Sequence, residues 1–100
     1  MGPGANRFEL TACIAELHAL RYTPAGVPAL NLRLEHASSV AEAGEERQVK
    51  AVLRAVALGA TAERLALQPI GSCWRFTGFL ATARNSKQIQ LHIQDITSDP

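Results

Sequence analysis

This 100-residue chain has almost no surplus of charge: ten Lys and Arg stand against nine Asp and Glu, a formal net of +1. Overall charge therefore gives little long-range attraction to a polyanion, and any such attraction must come from where the cations sit. Cysteine is equally scarce, with only Cys13 and Cys73, no CxxC spacing and no hydrophobic signal segment. That pattern points to a reducing cytoplasm rather than a disulfide scaffold, with both thiols as small core or interface residues. No apolar stretch approaches the ~20 residues of a membrane span, so no membrane segment is expected. His18, His36 and His92 are widely separated, which leaves a zinc site without support. The G-x-S-x-G, Walker A and G-x-G-x-x-G patterns are missing. Glu45 and Glu46 are adjacent and diverge on an extended chain, a poor geometry for paired carboxylate catalysis. The residues thus predict no enzyme, no metal and no cofactor.

What is present is an ordinary globular composition, 47% hydrophobic and 19% charged. A chain this short holds one core. The expected organisation is a flexible leader over residues 1–6, a single domain over 7–97 and a frayed tail over 98–100. The acids are uneven: Glu42, Glu45 and Glu46 crowd one segment, while Arg21, Arg33, Lys50, Arg54, Arg75, Arg84 and Lys87 lie in the patterned regions.

Phe8 to Tyr22 reads as one long strand, opening with Phe8, Leu10, Ala12 and Ile14 alternating against Glu9, Thr11 and Cys13. Leu17 breaks that parity, which suits a bulge that changes the inward face. A helix competes, because Ile14, Leu17 and His18 have helical spacing; the clean alternation from Phe8 and the turn that follows favour the strand. That turn is Thr23-Pro24-Ala25-Gly26. Val27 to His36 then sets Leu30, Leu32 and Leu34 against Asn31, Arg33 and Glu35. Ala37 to Glu46 has no apolar period and reads as a solvated loop. Arg47 to Leu58 alternates again, with Gln48, Lys50, Val52 and Arg54 on its outer side.

Between Gly59 and Gln68 the period becomes helical, with Thr61 as a cap and Pro69-Ile70-Gly71 as a stop. Ser72 to Ala83 reads as a strand, with Trp74, Phe76 and Leu80 inward, Phe79 outward and Gly78 permitting a bend. Arg84-Asn85-Ser86-Lys87 is a hairpin tip, and Gln88 to Ile96 is a final strand. The expected fold is all-β: a five-stranded Greek-key OB barrel with a short helix between its third and fourth strands.

Tyr22-Thr23-Pro24-Ala25-Gly26-Val27-Pro28, Leu34-Glu35-His36, Ala43-Gly44, Phe76-Thr77-Gly78-Phe79-Leu80 and Ile89 through Ile96 occur in an order and spacing that resemble the PriB family of primosomal replication proteins. The likeness runs from about residue 6 to residue 96. It implies a homodimer of OB domains, without catalytic activity, that binds single-stranded DNA, associates with the PriA helicase and a helicase-loading partner, and acts at stalled forks. It also implies where DNA lies: Arg21 falls near a family lysine on the first hairpin, and Arg84 to Lys87 matches a basic loop. This chain departs from the family pattern in having Lys50 where a stacking tryptophan is expected and Glu45 where a loop aromatic is expected. Its last hairpin is also shorter and less basic. Base stacking contributes ~1–3 kcal/mol per base, so binding here should be weaker and more salt-dependent.

The candidate nucleic-acid-binding residues are therefore Arg21, Tyr22, Arg33, Lys50, Arg54, Arg84 and Lys87. Taken alone, the outer face of Asn31, Arg33 and Glu35 with Gln48, Lys50 and Arg54 fits a plain solvated sheet face; the resemblance favours a strip that tracks phosphates. Arg84 and Lys87 read equally as phosphate contacts or solubilising tip residues, and Tyr22 as a base platform or a ring packed along the hairpin. Trp74 and Phe76 are expected in the core, Phe79 at an exposed contact. An OB-fold protein-interaction adaptor with residual DNA binding is the alternative function.

Overall fold

The computed structural model describes residues 4–84 and 86–98. The ends of the expected leader (1–3) and tail (99–100), and Asn85 of the last hairpin tip, lie outside the described residues. The elements are β1 (Phe8–Leu17), β2 (Arg21–Tyr22), β3 (Pro28–Glu42), β4 (Glu45–Leu58), α1 (Ala60–Ala66), β5 (Cys73–Thr82) and β6 (Ile89–Ser98). They form one sheet in the order β1-β5-β6-β4-β3-β2, and β1 pairs also with β3. That extra pairing closes a five-stranded barrel, with β2 as a short extension of its rim. Among the described residues the one parallel contact is β4 with β6, Ala55 opposite Leu91 through Ala57 opposite Ile93. This is the OB architecture, with the helix following the third barrel strand.

Alternation builds the interior. Ile14, Leu30, Leu34, Leu65, Phe76, Leu91 and Ile96 are the largest fully buried side chains, and Trp74, Leu80, Leu10 and Leu17 pack around them. Each such burial removes an aliphatic or aromatic surface from water, worth about 1.5–3 kcal/mol per side chain.

The first strand differs from expectation. β1 pairs with β5 from Phe8 to Cys13, then shifts register between Ile14 and Glu16 as it passes to β3. After Leu17 the chain leaves the ladder, and pairing resumes only at Arg21–Tyr22 against Ala29 and Pro28. The single strand Phe8–Tyr22 is thus two: the bulge changes the inward face within β1, and the break comes beyond it, after His18 N–H has bonded the Asn31 carbonyl at 3.0 Å.

The expected loop over 37–46 is a second departure. β3 and β4 stay paired without interruption from Ala29 opposite Leu58 to Glu42 opposite Glu45. Only Ala43 (φ 53°) and Gly44 (φ 80°) turn the chain, the two positive angles that a tight twisted hairpin requires. The outer ribbon is solvated on both faces, so its side chains carry no apolar period to mark it as strand.

Around α1, Gly59 occupies the N-cap with no side-chain cap bond. The Thr61 hydroxyl instead donates to the Gln94 carbonyl at 3.3 Å, so the expected Thr61 cap is replaced by a tie to β6. In β5, Gly78 is needed for close approach: a methyl there would collide with the His92 carbonyl oxygen, and the β5–β6 register shifts at this point. Asn6 brackets the backbone of Leu80, accepting from its N–H at 2.9 Å and donating to its carbonyl at 2.7 Å. Ser98, expected to open the tail, is the last residue of β6.

Cys13 and Cys73 are cross-strand partners in the β1–β5 register and are joined as a disulfide. Cys73 is exposed and Cys13 half-buried. The expectation of two separate thiols in the core or an interface fails because the register that brings them together links residues 60 apart.

Candidate nucleic-acid interface

Alternation along β3 turns Asn31 and Arg33 away from the leucine core, and alternation along β4 turns Arg54 outward on the same face. Arg33 and Arg54 are direct register partners. Two like charges placed opposite each other weaken a sheet, so this pair costs stability unless a counter-charge sits over it.

A groove of about 480 Å³ crosses this point and is lined by Arg21, Asn31, Arg33, Arg54 and Arg84, with Gln90 at its β6 side. Arg21 comes from the β2 rim, Arg33 and Arg54 from the barrel wall, and Arg84 from the β5–β6 hairpin. Arg21 is held in place by Asn31, whose Oδ1 accepts from its Nε at 3.1 Å and its Nη2 at 2.9 Å. An amide orients a guanidinium without neutralising it, so the charge stays available to a ligand. The groove's acid is Glu16, and its Oε1 lies 2.9 Å from His18 Nε2, within the same wall. Among the described residues Arg21, Arg33, Arg54 and Arg84 make no ion pair, unlike the paired His18–Glu16, Arg47–Glu42 and Arg64–Asp95. The arrangement is a shallow, cationic, open channel suited to phosphate oxygens.

Four of the seven expected residues thus meet in one place. Tyr22 follows Arg21 on β2 and is 62% exposed, a position from which a ring can reach a base. Lys87 is exposed at the last hairpin tip and does not line the groove. Lys50 stands apart: with Glu35 and Val52 it borders a second, apolar pocket beside Cys13 and Cys73. The strip foreseen along Arg33, Lys50 and Arg54 is therefore divided. Asn31, part of the expected outer strip, lines the groove beside Arg33, while Gln90 was not foreseen, although its outward parity was a usable sign. The remaining aromatics offer few platforms. Phe76 is buried; Trp74 donates its Nε1–H to Ser72 Oγ at 3.0 Å, with Arg64 5.9 Å from its ring; Phe79 is stacked on His92 at 4.8 Å.

Comparison with known proteins follows this geometry. Residues 6–95 match the model of a family described as another single-strand binding protein family. The replication restart protein PriB of Bordetella pertussis is 49% identical over 90 residues, 89% of this chain and 84% of that protein. PriB of Nitrosomonas europaea is 36% identical over 91 residues, 90% and 84% of the two chains. In three dimensions the chain is similar to PriB from Ralstonia solanacearum, with a TM-score of 0.85 and 35% identity over 95% of this chain and 98% of that one. A deletion mutant of the single-stranded DNA binding protein from Thermus aquaticus superposes with a TM-score of 0.77 at 27% identity, over 97% of this chain and 51% of that one. Sequence and fold agree, and the chain belongs to the PriB family of replication restart proteins, on the OB fold shared with single-strand binding proteins.

Proposed function

We propose that this protein binds single-stranded DNA along the Arg21–Arg33–Arg54–Arg84 groove, as a non-enzymatic accessory factor of replication restart in the cytoplasm. The convergence of four arginines from separate elements on one open channel carries the reading. A flexible polyanion with splayed bases fits such a channel: guanidinium groups hold successive phosphates, and Tyr22 supplies a stacking face. By the family resemblance the proposal extends to a homodimer of single OB domains, each spanning residues 7–97. In this reading the dimer works with the PriA helicase and a helicase-loading partner, and reacts with none of them.

The test is fluorescence anisotropy with a labelled oligonucleotide at several salt concentrations. Each phosphate contact on a single strand contributes about 0.7 to the slope of log K against log salt. Converting Arg33 and Arg54 together to alanine should lower that slope by about 1.4 and weaken binding throughout. Lys50→Ala, outside the groove, should change it much less. Equal losses from Lys50→Ala and the double variant would move the DNA path onto the ribbon.

One observation favours a second reading, a protein-interaction adaptor with weak DNA binding. Tyr22 is the one aromatic side chain among the described residues that is well exposed. Firm association with a helicase, beside anisotropy that stays flat at low salt, would select the adaptor.

A further inference from the structure

Cys13 is the last residue of the β1–β5 ladder and the first of the β1–β3 ladder, opposite Cys73 on one side and Glu35 on the other. It marks the seam at which the barrel closes. Two backbone bonds hold the same place, from Ile14 N–H to Ser72 O at 2.9 Å and from Gly71 N–H to Ile14 O at 2.8 Å. We propose that Cys13 and Cys73 form a reversible thiol–disulfide site that exchanges with small peptide thiols of the glutathione class and, when oxidised, locks this seam.

Three features support it. The two sulfurs meet by register, so either redox state is compatible with the same strand pairing. Cys73 is exposed while Cys13 is half-buried, which assigns Cys73 the first encounter with a small disulfide and Cys13 the resolving step. A pocket of about 640 Å³ opens over the pair, floored by Ala12, Ala51 and Val52 and edged by Glu35 and Lys50. Its size admits a tripeptide, and its rim carries one charge of each sign to meet a ligand with both carboxylates and an amine.

Cys73 as thiolate attacks one sulfur of the small disulfide; that S–S bond breaks, and the first small thiol leaves with the proton given up by Cys73. Cys13 as thiolate then attacks the Cys73 sulfur of the mixed disulfide, expelling the second small thiol with the Cys13 proton. Two protein thiols are oxidised and one small disulfide is reduced to two thiols. The new bond closes a loop of sequence separation 60, which restricts the unfolded chain far more than the folded one.

The test equilibrates the purified protein in buffers of graded reduced-to-oxidised glutathione ratio, quenches with an alkylating agent and reads intact mass. The expected result is a population two hydrogens lighter, replacing the doubly alkylated one progressively as the buffer becomes oxidising and disappearing when the ratio is reversed. Cys13→Ser should accumulate a glutathione adduct on Cys73, because the resolving thiol is gone. Thermal unfolding should show the oxidised form melting on the order of 10 °C above the reduced form. A protein that stays dithiol at every ratio overturns the proposal. One that stays oxidised at every ratio, or carries two glutathione adducts with no internal bond, overturns it as well. The wild-type mass readout stands even if a variant fails to fold.

Discussion

The β3–β4 hairpin is one continuous ladder with two different halves. From Ala29 to Glu35, paired with Val52 to Leu58, it is barrel wall: Leu30, Leu32 and Leu34 are sealed in the core and Arg33 and Arg54 face outward. From His36 to Glu42, paired with Glu45 to Ala51, it is a free ribbon whose residues are exposed or half-buried, Val40 at 43%. The β3–β4 ladder runs through both, but only the wall's strands also pair with others, β3 with β1 and β2 and β4 with β6. One face of the wall is also packed, so the wall draws its stability from burial, and the ribbon from its ladder, its turn and a few side-chain ties such as His36 Nδ1 to the Thr11 carbonyl at 2.6 Å. A two-stranded ribbon of that kind is marginal without the barrel that anchors it.

The largest effect that tests this contrast is at the centre of the wall's packing. Phe76 is fully buried among residues of every barrel strand, and Phe76→Ala should cost about 3–5 kcal/mol of unfolding free energy, measured by urea denaturation. Val40→Ala on the ribbon should shift the same measurement by less than about 0.5 kcal/mol. Comparable losses at the two sites would mean that the ribbon is packed against something in solution, which a second copy of the chain would supply.

The same contrast explains what was legible from residues alone. Where one face is buried, hydrophobic alternation is written into the chain, and Leu30-Leu32-Leu34, Phe76 and Ile89 through Ile96 announce strands and their order. On the ribbon the pattern vanishes, and Ser38, Ser39 and three glutamates read as loop although every one of them is paired. The cations of the groove were individually visible, but their meeting was not, since it depends on the β5–β6 hairpin folding back to the β2 rim. Lys50 shows the converse. It is four residues from Arg54 on the same parity, about 13 Å along a strand, far enough to place it on another surface. The Cys13–Cys73 contact is the least legible of all, fixed by a register that local patterns do not encode.

A smaller effect lies at the ribbon's turn. Ala43 adopts φ 53° next to Gly44 at φ 80°, and an L-residue with a Cβ in that region carries a penalty of roughly 1–2 kcal/mol that glycine avoids. Part of that gain is lost to the greater freedom of glycine in the unfolded chain. Ala43→Gly should therefore stabilise the ribbon end by about 1 kcal/mol, read as roughly fivefold greater hydrogen-exchange protection of the Arg47 and Val49 amides, whose residues form bonded pairs with Val40 and Ser38. Because the ribbon opens without unfolding the wall, amides of Leu32 and Leu34 should not change. A matching rise in the wall would show the two halves opening as one unit.

The smallest effect is expected where the ribbon looks best tied. Arg47 Nε donates to Glu42 Oε1 at 2.8 Å, across the strands next to the turn, with both side chains 64% exposed. At that exposure water screens the attraction, and holding two long side chains in one geometry costs entropy, so an exposed pair typically nets well under 1 kcal/mol. Glu42→Ala should change unfolding free energy by no more than about 0.5 kcal/mol at moderate salt. Its larger consequence is electrostatic: removing one acid from a ribbon that also carries Glu45 and Glu46 leaves Arg47 without a partner carboxylate across the strand. Oligonucleotide affinity should then rise slightly at low salt and return to wild type at high salt, because an exposed cation far from the groove adds only screened attraction. A rise that persists at high salt would place DNA in direct contact with Arg47, and with it extend the binding path from the wall onto the ribbon.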